Sequence, residues 1–246
     1  MASGDNNVAI VTGASRGIGA SVAERLAEDG FTVVINYSAD AKSAEELARK
    51  IEAAGGRALT AKADVSNPEA VRLMFETAEA AFGGVDVLVN NAGIMALSNI
   101  ADTDDATFDR QISVNVKGTF NTLREAAKRL RNGGRIINFS TSAIGMRMPG
   151  YGVYAATKAA VEAMTSVLSN EMRGRNITVN SVAPGPTATD LFLNGKSSEL
   201  VDRLSKAPPL ERLGQPKDIA DVVAFLASPE GSWINGQTLR ANGGMV

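Results

Sequence analysis

A tyrosine and a lysine with catalytic potential, Tyr154 and Lys158, lie four residues apart in a segment of helical composition. In an α-helix this spacing places both side chains on one face. An unperturbed tyrosine has a pKa of about 10, and a neighbouring ammonium group favours the phenolate. Lowering that pKa to about 7 requires roughly 4 kcal/mol, at about 1.36 kcal/mol per pKa unit. We therefore expect a pair that exchanges a proton with a substrate near neutral pH.

Such a pair is common on helices, and two other features make this one a catalytic candidate. The sequence contains no histidine and no cysteine, which excludes a Ser-His-Asp triad and histidine- or thiolate-ligated metal sites; we predict no metal. In addition, Ser140-Thr141-Ser142 follows the predicted strand Arg135–Phe139. Ligands of doubly wound sheets bind beyond the carboxyl ends of the strands. A hydroxyl there could hold a carbonyl oxygen while Tyr154 donates a proton.

A glycine-rich turn, Thr12-Gly13-Ala14-Ser15-Arg16-Gly17-Ile18-Gly19, joins the first predicted strand to the first predicted helix. This context is typical of a dinucleotide site, in which the helix N-terminus binds the pyrophosphate. We expect Gly13 to permit the turn, Gly17 to allow close approach of the anion, and Gly19 to allow the helix to pack on the strand. The alternative is a simple turn, because the spacing is not the common G-x-G-x-x-G.

The end of the second strand indicates which dinucleotide is bound. NAD is usually held there by an acidic residue on the ribose 2′-hydroxyl. This chain has Asn36-Tyr37-Ser38 instead, with no acid before Asp40. Arg16 could pair with a 2′-phosphate, so we predict NADP(H). The alternative for Arg16 is a solvated loop charge.

Strands and helices that alternate along the chain must position these residues. Apolar strands without polar alternation indicate burial on both faces, as in a parallel sheet. We predict an α/β fold: a single-domain, doubly wound parallel sheet of the Rossmann type, with about seven strands and helices on both faces. The domain spans 1–246, with 1–6 flexible and 184–215 forming a substrate loop or lid. The predicted elements are the strands Val8–Val11, Thr32–Ile35, Ala58–Ala63, Val85–Val89, Arg135–Phe139, Ile177–Val182 and Thr238–Arg240, and the helices Gly17–Asp29, Ala41–Ala54, Pro68–Phe82, Asp104–Arg131, Tyr154–Arg173 and Pro216–Ala227, with a further short helix over Ser197–Ala207.

The charge balance limits the class of partner. The formal net charge is −2, from 25 basic and 27 acidic residues, which argues against a nucleic-acid-binding protein. The N-terminal MASGDNN lacks the pattern of a signal peptide, and no apolar run is long enough to cross a membrane. We expect a cytoplasmic protein with no membrane partner.

Six motifs in order resemble those of the short-chain dehydrogenase/reductase family, and most closely its 3-oxoacyl-acyl-carrier-protein reductase-like branch. They span nearly the whole chain and are Thr12-Gly13-x-x-x-Gly17-Ile18-Gly19, Asn90-Asn91-Ala92-Gly93, Ser113-Val114-Asn115-Val116, Tyr154-x-x-x-Lys158, Pro184-Gly185 and Asn242-Gly243-Gly244.

The resemblance implies a role for each matched residue. Tyr154 is then the general acid in reduction and the base in oxidation, and Lys158 lowers its pKa and binds the nicotinamide ribose. Asn115 holds a water that relays protons, and Ser142 orients the carbonyl. The cofactor-binding residues expected from the glycine turn, the second strand and the resemblance are Gly13, Ser15, Arg16, Gly17, Ile18, Gly19, Asn36, Tyr37, Ser38, Asp64, Val65, Asn91, Ala92, Gly93, Tyr154, Lys158, Pro184, Gly185, Thr187 and Thr189.

The substrate-orienting hydroxyl is where the sequence departs from the family pattern. Members usually place it thirteen residues before the tyrosine, which is Thr141, and three residues before a glycine, which is Ser142 before Gly145. We favour Ser142, because loop length varies more readily than the hydroxyl, and Thr141 stays open.

Together these features predict an NADPH-dependent carbonyl reductase that converts a ketone or 3-oxoacyl thioester to a secondary alcohol. Ala143, Ile144, Met146, Met148, Tyr151 and 184–207 are expected to line its substrate pocket. The resemblance also implies a homotetramer, and an acyl carrier protein is a candidate partner. An NAD-dependent alcohol or sugar dehydrogenase is an alternative that needs an acid near Tyr37. A non-catalytic dinucleotide-binding regulator is another, and it would lack Tyr154 or Lys158.

Overall fold

Seven parallel strands form one sheet at the centre of the molecule, in the order β3-β2-β1-β4-β5-β6-β7. The computed structural model describes residues 7–246, so the expected flexibility of 1–6 lies outside the described residues. The fold class predicted from the alternating pattern is confirmed. The strands are β1 (Val8–Val11), β2 (Thr32–Tyr37), β3 (Arg57–Lys62), β4 (Val85–Asn90), β5 (Leu130–Phe139), β6 (Thr178–Pro184) and β7 (Thr238–Ala241).

Helices cover both faces of the sheet. They are α1 (Gly17–Glu28), α2 (Ala41–Ala53), α3 (Pro68–Phe82), α4 (Asp105–Gln111), α5 (Gly118–Arg129), α6 (Ala143–Met146), α7 (Gly152–Glu171), α8 (Asp190–Leu193), α9 (Ser198–Lys206) and α10 (Pro216–Ala227), with a π-helical segment at Ile112–Lys117 and short 3-10 turns at Ile100–Asp102 and Pro229–Gly231. Within residues 7–246, no helix combines the length and apolar character needed to span a membrane.

Strand β1 shows why the apolar runs lack polar alternation. Its four residues are fully buried, and successive side chains enter different cores. Ala9 and Val11 pack in the core on the α1 and α10 side, whereas Val8 and Ile10 pack in the core beneath α3. A strand buried on both faces must therefore be apolar at every position.

The strand order places a crevice between β1 and β4. The chain moves outward from β1 to β3, then crosses back to β4 and continues to β7. At that switch point the loops after the two strands diverge, which leaves an opening at the carboxyl edge of the sheet. The glycine turn after β1 and Asn91–Gly93 after β4 border this opening.

The long helix predicted over Asp104–Arg131 is interrupted in the structure. Helix α4 ends at Gln111, the next six residues widen into the π-helical segment, and α5 resumes at Gly118. Such bulges often occur at functional sites. The strand β5 also begins earlier than predicted, at Leu130, which pairs with Val85 of β4. The register then shifts, so that Val87 pairs with Arg135, and Gly133 within the irregular stretch has a φ of 85°.

Two short helices, α6 and α8, lie where no element was predicted, while α9 falls within the predicted Ser197–Ala207. Four-residue helices carry too little periodicity to be detected from composition. Both border the opening at the carboxyl edge: Ala143 and Met146 come from α6, and Leu191 and Phe192 from α8.

Candidate active site

The turn after β1 has the shape of an anion cradle. Gly13 and Gly17 adopt left-handed conformations, with φ of 60° and 59°, which side chains disfavour. A Cβ atom on Gly13 would lie 2.9 Å from the Cα of Ala92, and one on Gly19 would lie 2.6 Å from the carbonyl oxygen of Gly13. Helix α1 starts at Gly17, and the Arg16 side chain does not cap its first-turn amides. These amides suit a pyrophosphate group, so the residues fit a dinucleotide.

Asn91 and Ala92 fix this turn to the loop after β4. The Asn91 Nδ2 atom donates hydrogen bonds to the carbonyls of Thr12 (2.9 Å) and Gly13 (3.0 Å). The backbone N–H of Ala92 donates to the Thr12 hydroxyl at 3.0 Å. The two loops that flank the switch point therefore form one connected wall of the cleft.

The cleft continues past Asn36, Tyr37 and Ser38, which line it as expected. Asn36 is buried and supports the wall: its Oδ1 accepts from the N–H of Gly13 at 3.1 Å, and its Nδ2 donates to the carbonyl oxygens of Ala61 and Ala63. Arg16 is exposed at the rim of the same cleft.

Asp40, the first acid after β2, is engaged by its own helix. Its carboxylate accepts a hydrogen bond from the backbone N–H of Ser43 at 3.1 Å and so caps α2. Hydrogen bonding from Ser43, followed by the charges of Arg16 and Lys42, lowers the pKa of Asp40. A cation thus lies near the rim of the cleft at the place where an NAD-binding carboxylate would be expected.

Asp64 and Arg110 face each other at the far end of the cleft. Asp64 accepts hydrogen bonds from the backbone N–H (2.9 Å) and hydroxyl (2.7 Å) of Ser66, and the guanidinium of Arg110 lies 3.9 Å away. Partial burial opposes ionisation, yet the Ser66 hydrogen bonds and the Arg110 charge leave the pKa of Asp64 lowered. Val65 lines the cleft as expected, whereas Arg110 was not predicted, because a charged residue on an exposed helix looks like ordinary surface.

A second pocket adjoins the cleft and contains the tyrosine–lysine pair. The two cavities share part of one wall, including Ile18, Gly93 and Leu191. Tyr154 and Lys158 line the second pocket, as predicted from their spacing. Its apolar lining comprises Ile94, Met95, Phe139, Ala143, Met146, Met148, Pro186, Leu191, Phe192 and Leu204.

Tyr154 lies in the first turn of α7, and the Thr141 side chain is near enough to its phenol to affect the pKa of Tyr154. Burial raises the pKa of Tyr154 to about 12, although Thr141 acts in the opposite direction. The lowering expected from Lys158 together with an oxidised nicotinamide stays a prediction. Lys158 directs its amine to the carbonyl oxygen of Phe139, 2.9 Å away, and burial lowers the pKa of Lys158 to about 8.

Asn115 lies beneath this pair, in the π-helical segment. Its Oδ1 accepts from the N–H of Ile94 at 2.8 Å, and its Nδ2 donates to the Ile94 carbonyl (2.9 Å) and to the Thr157 hydroxyl (3.1 Å). Thr157 in turn donates to the backbone carbonyl of Tyr154 at 2.7 Å. Asn115 thereby links the loop after β4 to the helix that carries the tyrosine.

The matches to known proteins agree with this geometry. A family model described as Enoyl-(Acyl carrier protein) reductase matches residues 13–246. A "Short-chain type dehydrogenase/reductase" of Picea abies is 51% identical over 97% of this chain and 92% of its own length. The chain belongs to the short-chain dehydrogenase/reductase family.

Two further matches are close in sequence or in fold. An Arabidopsis thaliana "NADPH-dependent aldehyde reductase-like protein, chloroplastic" is 47% identical over 97% of this chain and 94% of its own length. Among solved structures, a short chain dehydrogenase from Burkholderia cenocepacia J2315 in complex with NADP superposes with a TM-score of 0.92, at 38% identity and 98% coverage of both chains. Membership of the family, expected from six motifs, is confirmed.

The hydroxyl groups of Ser140, Thr141 and Ser142, which follow β5, have different surroundings. Ser140 donates to the carboxylate of Glu162 at 2.5 Å, and Ser142 is buried and donates to the carbonyl of Ala183 at 2.9 Å. Only Thr141 of the three is near enough to the Tyr154 phenol to affect its pKa, and it lines the pocket, whereas Ser142 does not. This geometry is the one expected of the thirteen-residue separation, and the assignment of Ser142 or Thr141 as the substrate-orienting hydroxyl stays a prediction.

The remaining predicted residues lie along the pocket and the cleft. Pro184, Gly185, Thr187 and Thr189 line the second pocket, and Ser15, Gly17, Ala92 and Gly93 line the cleft. Thr189 also caps α8 by accepting from the N–H of Phe192 at 3.3 Å. Gly19 is buried behind the turn, and Ile144 does not line the pocket.

Proposed function

We propose that this protein is an NADPH-dependent carbonyl reductase that acts on apolar aldehydes or ketones and forms an alcohol. One observation carries the proposal: the largely buried Tyr154 phenol, next to Thr141, lines an apolar pocket that shares a wall with the dinucleotide cleft. The Arabidopsis relative named as an NADPH-dependent aldehyde reductase and the NADP complex of the Burkholderia structure support it.

Thr141 and Tyr154 would bind the substrate carbonyl oxygen together. A phenol whose pKa is raised to about 12 keeps its proton at neutral pH, so the proton is present for transfer, although burial makes the group a weaker acid. The alkoxide that develops as a carbonyl is reduced is a stronger base than phenolate, which makes the transfer favourable. When bound, the nicotinamide supplies the hydride.

Lys158 and Asn115 would support the tyrosine. With a pKa lowered to about 8, Lys158 carries a proton at neutral pH and exchanges it more readily than an ordinary lysine. Asn115 holds the helix segment under Tyr154 through Thr157. We propose that Lys158, recharged from solvent, returns a proton to the tyrosine after each turnover, and that Asn115 keeps the helix segment in place for this transfer.

Preference for NADPH over NADH would rest on Arg16. Its charge lies at the rim of the cleft, and Asp40, the first acid after β2, is engaged as the cap of α2. A 2′-phosphate would gain a charge-assisted hydrogen bond from Arg16, while the carboxylate of Asp40 already accepts from Ser43. This arrangement disfavours the alternative of an NAD-dependent dehydrogenase.

The lining of the pocket indicates the class of substrate. Three methionines, Met95, Met146 and Met148, give an apolar wall that adapts to different shapes. Among the lining residues within 7–246, Lys158 alone is charged, and it is already bonded to Phe139. We therefore propose a neutral substrate with an apolar chain. A 3-oxoacyl thioester is the second candidate, favoured by the acyl-carrier description of the matching family model.

A panel of carbonyl compounds tests the function. NADPH oxidation would be followed with aliphatic aldehydes, aromatic ketones and 3-oxoacyl thioesters, each with NADH as the parallel cofactor. We expect turnover of apolar aldehydes or ketones, and little with substrates that carry a carboxylate next to the carbonyl. No turnover of any member, in a protein that binds NADPH, would contradict the proposal.

Assembly and location remain predictions. Exposed apolar side chains on the long helices and before β7, namely Phe120, Val167 and Trp233, support the expected homotetramer, because large exposed apolar groups often mark subunit contacts. Light scattering coupled to size-exclusion chromatography would measure the mass. The cytoplasmic location stays a prediction, and the Arabidopsis relative is described as chloroplastic.

A further inference from the structure

Ser142, which the sequence suggested as catalytic, is the centre of a buried hydrogen-bond junction. Its hydroxyl donates to the carbonyl of Ala183 (2.9 Å) and accepts from the Nδ2 of Asn242 (3.0 Å). Its backbone N–H donates to the carbonyl of Pro184 at 2.9 Å. One side chain thus joins the loop after β5, the end of β6 and the segment after β7.

Asn242 extends this junction to the last residues of the chain. Its Oδ1 accepts from the N–H groups of Gly244 (2.9 Å) and Met245 (3.2 Å), and its Nδ2 also donates to the carbonyl of Val246 (3.3 Å). The Val246 side chain then packs on α6, since a Cβ atom on Gly145 would lie 3.0 Å from it.

The same junction fixes the loop after β6. Gly185 donates its N–H to the carbonyl of Ala241 at 3.0 Å, and a Cβ atom on Gly185 would lie 2.8 Å from that of Asn242. Thr141 and Gly185 line the second pocket, whereas Ser142 and Asn242 do not. The junction therefore lies behind two loops whose positions matter for the proposed reaction.

We propose that Ser142, Asn242 and the C-terminal Met245–Val246 form a clasp that positions Thr141 against Tyr154 and holds the Pro184–Gly185 loop. Ser142 and Asn242 are positioning residues, since they act through these neighbours. The consequence of the clasp for turnover rests on the proposed reductase function, whereas its effect on loop mobility does not.

A matched pair of serine variants tests the clasp. Ser142→Ala removes a buried hydroxyl from it, and Ser181→Ala removes another buried hydroxyl, which bonds to Thr238 at 2.6 Å between β6 and β7. In the free protein, we expect Ser142→Ala to increase amide hydrogen exchange at least tenfold in 143–148 and 185–188, relative to Ser181→Ala. Equal exchange in these segments in the two variants would overturn the clasp, whatever the protein catalyses.

Binding and turnover give the second readout. For Ser142→Ala we expect kcat to fall at least tenfold and the Kd of NADPH to rise several-fold, with the Kd of 2′,5′-ADP unchanged because that fragment lacks the nicotinamide end. For Ser181→Ala, we expect kcat, the Kd of NADPH and the Kd of 2′,5′-ADP each to stay within twofold of the wild-type value. Equal weakening of both ligands would instead indicate general destabilisation and would contradict the positioning role.

Deletion of Met245 and Val246 provides a variant that keeps both side chains of the junction. We expect this deletion to increase amide hydrogen exchange in 143–148, because Val246 no longer packs on α6. Unchanged exchange in 143–148 would contradict the role of Met245–Val246 in the clasp. If the wild-type protein does not reduce carbonyl compounds with NADPH, the proposed function is wrong. The clasp is then still tested by the amide hydrogen exchange of the variants.

Discussion

The side-chain amine of Lys158 donates a hydrogen bond to the backbone carbonyl of Phe139, 2.9 Å away, and so connects α7 to the end of β5. The amine is also near Asn115: a Cβ atom on Gly93 would lie 3.3 Å from both the Nζ of Lys158 and the Oδ1 of Asn115. The Lys158 amine is thus held between the Phe139 carbonyl and Asn115, and its burial there lowers its pKa.

The reductive pH profile should follow Lys158. Because burial lowers its pKa to about 8, the amine loses its charge at a lower pH than an ordinary lysine, and proton resupply to Tyr154 should decline from there upward. We expect kcat for reduction to be level from about pH 6 to 7.5 and to fall above about pH 8. Lys158→Arg keeps its charge throughout this range and should move the fall to higher pH. Identical profiles for the two proteins would exclude Lys158 as the titrating group.

Thr141 should matter to turnover through its hydroxyl. Thr141→Ala removes the hydroxyl next to Tyr154, and we expect kcat to fall about 100-fold, as when a single oxyanion donor is removed. Thr141→Ser keeps the hydroxyl and should retain most of the activity. Steady-state kinetics with one aldehyde would compare the two, and a loss of similar size in both would show that the methyl group, and not the hydroxyl, is required.

Arg16 should distinguish the two nicotinamide cofactors. Arg16→Gln removes the cation at the rim, and we expect NADPH binding to weaken about 10- to 100-fold, the size of a charge-assisted hydrogen bond, with NADH little changed. Lys50→Gln, which removes an exposed cation paired with Glu24, serves as the control. Isothermal titration would give both dissociation constants, and a parallel loss for NADPH and NADH would remove the basis for NADPH preference.

Much of the fold could be predicted from the sequence, because strands buried on both faces produce unbroken apolar runs. Val8–Val11 is an example whose bounds agree with the structure. The π-helical segment Ile112–Lys117 could not be predicted, since its composition is that of a helix and the loop that bonds to it, through the Ile94 backbone and Asn115, is distant in sequence.

The candidate site was predictable where spacing alone determines proximity. Tyr154 and Lys158 share a helix face, so four residues suffice to bring them together. Thr141 and Ser142 are adjacent, and which of them faces the pocket depends on Ala183 and Asn242, the residues that engage Ser142. Arg110 was missed for a similar reason, because Asp64 reaches it only after the chain folds.

The central claim is that Tyr154 gives its proton to the substrate carbonyl. The most direct measurement compares wild type with Tyr154→Phe for aldehyde reduction at saturating NADPH, alongside the Kd of NADPH for each. Because a positioned general acid contributes about 10²- to 10⁴-fold, we expect kcat to fall by that factor, with the Kd within a few-fold of wild type. A Tyr154→Phe protein that reduces the aldehyde at near wild-type rate would contradict the claim.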